Sequence, residues 1–171
     1  MTKKINILLI LLLITLFSCK KEQKSLPTEL PPLTTEGKNT FGCLIENEIY
    51  VPEIRRTALT TPIYINEFPK YPNYCFTVTT TRLVNNNDNV MDAEVGFKIS
   101  IVKDTGEYNI IYSTIKYNNK YYQSDSLNNG KLKIIKLDTI NKIISGTFYI
   151  KALSEDSNII NITNGRFDLK K

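Results

Sequence analysis

The chain has 171 residues and a formal charge of +5, with three cysteines and neither histidine nor tryptophan. Without histidine, Ser-His-Asp and Cys-His nucleophile systems and His-containing zinc sites cannot be built. The basic residues are scattered along the chain rather than gathered in a run, and no nucleic-acid-binding signature accompanies them, so the composition argues against a nucleic-acid partner.

Lys3 and Lys4 precede an apolar run from Ile5 to Phe17 that only Asn6 and Thr15 interrupt, and small Ser18 stands before Cys19. A charged start, a short apolar stretch and a small residue are the parts of a secretory signal peptide. A retained transmembrane helix needs ~18 or more apolar residues. Leu16-Phe17-Ser18-Cys19 resembles a bacterial lipobox, at which cysteine is lipidated and the leader cut before it. Residues 1–18 are therefore expected to be a lipoprotein signal peptide and Cys19 the lipidation site. Residues 19–39 then form a lipidated, Pro-rich tether, since Pro27, Pro31 and Pro32 favour extended chain. Such a spacer adds few core residues, and a chain beginning near Gly37 is expected to fold alone.

Residues 40–171 carry period-two patterning with no helical stripe. Phe41–Ile45, Ile49–Val51 and Ile63–Ile65 read as short strands. Phe76, Val78, Thr80 and Arg82 alternate with Thr77, Thr79 and Thr81, whose branching suits a pleated surface. Val95, Phe97, Ile99 and Ile101 form a clean row, as do Ile144, Gly146, Phe148, Ile150 and Ala152. Tyr108–Tyr117, Lys131–Asp138 and Ile159–Ile162 complete the set, with Phe167 and Leu169 facing away from Arg166 and Asp168. Turn residues separate these runs at Thr105-Gly106, Asn128-Asn129-Gly130, Asp138–Asn141 and Asn164-Gly165. The expected fold is all-β, a single antiparallel β-sandwich of about nine strands, with an up-and-down β-barrel as the alternative.

Cys43 and Cys75 lie in an oxidising compartment once exported. They form either a disulfide, stabilising by about 3–4 kcal/mol, or two buried thiols. Tyr117, Tyr121 and Tyr122 beside Asn118 and Asn119 offer sugar-compatible chemistry, rings for stacking and amides for hydroxyls; the alternative is a hairpin with half-buried tyrosines. Asn85–Asn89 with Asp92 and Glu94 lack the glycine and acid spacing of a calcium loop, so no metal site is assigned there. Glu46, Glu48, Glu53 and Glu67 are close in sequence, and two facing acids would permit glycoside hydrolysis.

Three segments carry a resemblance: Leu30-Pro31-Pro32 leading to Gly37-Lys38-Asn39-Thr40-Phe41-Gly42-Cys43, then Ile143-Ile144-Ser145-Gly146-Thr147-Phe148, then Ile162-Thr163-Asn164-Gly165-Arg166-Phe167-Asp168. On these the chain resembles a family of uncharacterised lipoproteins from Bacteroidota. The resemblance implies an outer-membrane lipoprotein of the cell envelope, and no cofactor is expected. Lys20-Lys21-Glu22 matches in part the lysine-and-acid run of surface-exposed members, so either side of that membrane fits. The resemblance also implies O-glycan attachment at Ser126 and Thr139, each after an aspartate and before an apolar residue; the alternative is that these Asp-Ser and Asp-Thr pairs simply make turns. The expected function is a non-enzymatic binding or assembly module, anchored through its lipid and meeting a glycan or an envelope protein. The alternatives are a carboxylate-based glycoside hydrolase and a small-ligand-binding barrel.

Overall fold

A computed structural model describes residues 27–54, 61–71, 73–83, 91–124 and 130–171. Cys19, Ser126 and the Asn85–Asn89 run lie outside the described residues. Among the described residues there are twelve strands: β1 (Thr40–Ile45), β2 (Glu48–Tyr50), β3 (Glu53–Ile54), β4 (Ile63–Glu67), β5 (Phe76–Leu83), β6 (Met91–Ile99), β7 (Gly106–Asn109), β8 (Tyr112–Tyr117), β9 (Lys120–Ser124), β10 (Gly130–Asp138), β11 (Ile143–Leu153) and β12 (Ile159–Lys170). All pairings are antiparallel except β3 with β5.

The strands belong to one sheet that does not close into a barrel. Strands β2-β1-β12-β11-β10-β7 make one layer and β9-β8-β6-β5, with β3 and β4 beyond, make the other. β11 joins them: its first part pairs with β10, and Leu153 at its end pairs with Gln123 of β9. Phenylalanines from both layers interlock between them. Phe97 of β6 meets Phe148 of β11 at 4.9 Å and Phe41 of β1 at 6.4 Å, while Phe76 of β5 meets Phe167 of β12 at 5.6 Å. This is the all-β sandwich, continuous at one side. On the other side, side chains do what strand pairing does not. Thr80 gives its hydroxyl hydrogen to the Val95 carbonyl, so Tyr50 donates to Thr80 Oγ1 at 3.0 Å, and Arg82 Nη1 donates to the Ile49 carbonyl at 2.9 Å.

The alternation in β5 holds along its length, with Phe76, Val78, Thr80 and Arg82 all facing the interior. Elsewhere the pattern is interrupted. The row from Val95 stops at Ile99, because Ile101 turns outward with φ +60° and Val102 takes the buried place. The Tyr108–Tyr117 run divides into β7 and β8 around buried Ile110. The Asn164-Gly165 pair does not reverse the chain. It makes a bulge within continuous β12: Asn164 has φ +52°, and the register against both β11 and β1 slips there.

The three segments of the family resemblance meet in one place. On β11 and β12 two glycines stand opposite two phenylalanines, Gly146 against Phe167 and Gly165 against Phe148. A Cβ on Gly165 would lie 2.6 Å from the Phe148 ring, so that ring needs the bare backbone. On the outer face, Pro31 lies across β1 at Gly42, where a Cβ would come within 2.5 Å of Pro31 Cδ. The segment then passes over β12 and β11, where Asp168 holds it. The Asp168 carboxylate accepts from Thr34 Oγ1 at 2.6 Å, from the N–H groups of Glu36, Gly37 and Lys38 at 3.0, 2.7 and 3.2 Å, and from Ser145 Oγ at 2.7 Å. Burial pushes the carboxyl up, but these donors outweigh it and hold it at about 2. From Leu30 on, the segment expected as a spacer over 19–39 is therefore part of the folded domain. A fully buried Asp168 binds it across more than a hundred residues of sequence.

Candidate functional site

The docked segment creates a wall. Against it, the outer face of β7, β10, β11 and β12 forms a trough of about 560 Å³, bounded by Leu33 on the segment side and by Glu107 on the other. Its residues are the outward set of each strand, placed there by alternation. Leu132 and Ile134 point into the core, so Lys131 and Lys133 point out. Buried Phe148 leaves Thr147 and Tyr149 outward on β11, and buried Phe167 leaves Arg166 outward on β12.

Register sets who stands beside whom. Lys131 faces Tyr149, and Glu107, Lys133, Thr147 and Arg166 follow one another across four strands. Strands lie ~4.8 Å apart, so Lys133 and Arg166 are about 10 Å apart with Thr147 between them. Glu107 stands directly beside Lys133 and offsets part of its charge, while Lys131 and Arg166 have no carboxylate opposite them in the register. The β12 bulge sits inside the trough and supplies Thr163 and Asn164 to its lining. The Asn164 carbonyl accepts from Arg166 Nε at 3.4 Å and restrains the guanidinium. Bulges of this kind commonly re-aim side chains at functional sites. Half of the Tyr149 side chain is exposed. The result is three cations, one aromatic ring and a set of hydroxyl and amide groups on one face.

A second groove, of about 470 Å³, lies at the open side of the sandwich between β4 and the end of β12. Tyr64, Lys170 and Lys171 line it, and Lys171 Nζ donates to the Asn66 carbonyl at 3.5 Å.

The tyrosine–asparagine segment is the β8–β9 hairpin. Asn118 and Asn119 form its two-residue turn, with φ +49° and +59°. Pairing places Tyr117 and Tyr122 on the core side and Tyr121 on the outer side, so the three rings do not make one platform. Tyr122 packs against the core, and Tyr117 donates its hydroxyl to Glu48. Burial, followed by the Glu48 carboxylate, pushes the Tyr117 phenol up to about 12. Tyr121 is exposed beneath Lys116 Nζ, 5.2 Å from its ring centre.

Cys43 and Cys75 are both free thiols, so the disulfide expected as one alternative is not formed. Cys43, opposite Tyr50 in the β1–β2 hairpin, lies within the field of Arg82 near the end of β5, whereas Cys75 directly precedes that strand. Seven residues of strand span about 23 Å, and a disulfide needs Cα atoms within about 7 Å. Thr139 is exposed in the β10–β11 turn. Asp138 caps that turn, accepting from the N–H of Asn141 at 2.9 Å and of Ile140 at 3.1 Å, and the Asn141 bonds hold its carboxyl below the usual range. Of the glutamates, Glu46 in the β1–β2 turn accepts from Asn161, Glu48 at the start of β2 accepts from Tyr117, and Glu67 on β4 accepts from Thr77 and Lys98.

The trough residues escape a linear reading because Lys131, Lys133, Tyr149 and Arg166 are spread over three strands. The lysines that look scattered along the chain become neighbours through register. The available signal was their shared membership of the polar row on each strand. No protein-family model, curated protein or solved structure matches the chain.

Proposed function

We propose that this protein is a lipid-anchored binding module of the bacterial cell envelope, held at the outer membrane through Cys19, and that it recognises its partner without catalysing a reaction. The observation that carries the binding role is the trough: cations, an exposed ring and hydrogen-bonding groups gathered at a bulge, against a wall made by the docked N-terminal segment. The anchor rests on the charged, apolar and small residues of Met1–Cys19 and on the resemblance to Bacteroidota lipoproteins. Docking at Leu30 leaves eleven residues to Cys19, at most about 40 Å of extended chain. The domain is thus kept close to the membrane. Thr139, exposed in its turn, and Ser126 are the places for O-glycan attachment.

Two measurements test this. Metabolic labelling with a fatty acid should mark the wild type and not Cys19→Ala; equal labelling of both, or none of either, removes the anchor. A photo-crosslinking residue at Tyr149 should capture an envelope component in intact cells. The same residue at Ile140, which is 91% exposed in a turn away from the trough, serves as control. Equal capture from both positions would remove the trough as the binding site.

A further inference from the structure

We infer that the ligand of this trough is an acidic polysaccharide, an inference that rests on the trough being the recognition site. Among the described residues, Lys131, Lys133 and Arg166 against the carboxylate of Glu107 leave a net positive face, which selects an anion. Arg166, oriented by the Asn164 carbonyl, presents a planar fork suited to a carboxylate. Charge alone would serve any polyanion. Two further features favour sugar. Tyr149 exposes its ring directly beside Lys131, two residues along β11 from the row of Lys133, Thr147 and Arg166. There the apolar face of a pyranose can stack on it while the acid group of that sugar or the next meets an ammonium or guanidinium. Thr147, Thr163 and Asn164 add neutral hydrogen-bonding groups to the same lining, matching a ligand rich in hydroxyls. The recess falls within the ~300–1,000 Å³ range of small-ligand sites and takes a few sugar rings.

The test uses the full chain, purified in detergent, and measures retention by polygalacturonate, by neutral dextran and by polyglutamate of similar length. Polygalacturonate should bind and dextran should not. Combined Lys131→Gln, Lys133→Gln and Arg166→Gln should weaken polygalacturonate binding at least tenfold, and Glu107→Gln should strengthen it by removing a like charge. Tyr149→Ala should weaken polygalacturonate at least fivefold while leaving polyglutamate retention unchanged, because only the sugar uses the ring. Unchanged melting temperatures show that the variants fold. Equal retention by polyglutamate and polygalacturonate, with equal effects of Tyr149→Ala, would overturn the inference. Absence of polygalacturonate binding together with specific crosslinking from position 149 would also overturn it, while leaving the binding module intact.

Discussion

Replacing Asp168 with asparagine tests how the N-terminal segment is held, because it keeps the shape of the side chain and removes its charge. The carboxylate accepts five hydrogen bonds, three of them from consecutive backbone N–H groups. A carboxyl held at about 2 in the fold, against about 3.9 in an unfolded chain, contributes roughly 2.5 kcal/mol at neutral pH. The amide of Asp168→Asn also turns an NH2 toward donors that need an acceptor, and each stranded N–H costs about 1–3 kcal/mol. These effects overlap, so the expected loss in urea unfolding of the full chain at pH 7 is about 3–4 kcal/mol. The pH dependence has a definite sign. The folded value is depressed, so the contribution is complete above about 4, the unfolded value, and is lost as pH falls through about 2. The gap between wild type and Asp168→Asn should stay constant from pH 7 to 5 and narrow below about 4. Trypsin cleavage after Lys38, whose N–H is one of the donors, should accelerate at least tenfold in the variant. A stability change under about 0.5 kcal/mol, or a gap that does not narrow in acid, would refute the account of Asp168 as the holding group.

Other outcomes follow from the same packing. A chain beginning at Gly37 should be less stable than one beginning at Pro27 by about 2–4 kcal/mol in urea, since it uncovers Gly42 and strips two donors, Thr34 and Glu36, from Asp168. Equal midpoints would return residues 30–36 to the status of a spacer. Gly42→Ala should cost about 1–3 kcal/mol and speed the same trypsin cut, because its Cβ collides with Pro31. Gly146→Ala should be worse: its Cβ would lie 2.3 Å from the Lys133 carbonyl oxygen, backbone that cannot swing aside, and thermal melting should report a larger loss than for Gly42→Ala. In non-reduced protein with Cys19 lipidated, a thiol reagent should modify Cys75 in the folded state and reach Cys43 only on unfolding, because burial pushes the Cys43 thiol up. No titratable thiol after unfolding would mean that the pair is bonded.

The strands and their inward faces were legible in the residues themselves. A period of two places alternate side chains on opposite faces of any strand, so β5 could be read down to the inward Arg82. The same alternation, broken by turn residues and free of any helical stripe, announced an all-β chain. Other features depended on partners distant in sequence. Asp168 looks like an ordinary outward residue of a terminal strand, and only the return of residues 34–38 across β12 buries it. Asn164-Gly165 has the chemistry of a turn, which tolerates positive φ, and a bulge asks for the same chemistry; the pairing of β12 with β11 and β1 on either side decided between them. Cys43 and Cys75 flank apolar segments alike, yet the fold places them near opposite ends of β5. The trough depends on the same kind of information. Alternation puts Lys131, Lys133, Tyr149 and Arg166 on outer faces, but strand order and register bring those faces side by side. Periodicity is a local property of the backbone, whereas register is a property of pairs, settled when the two layers pack their phenylalanines together.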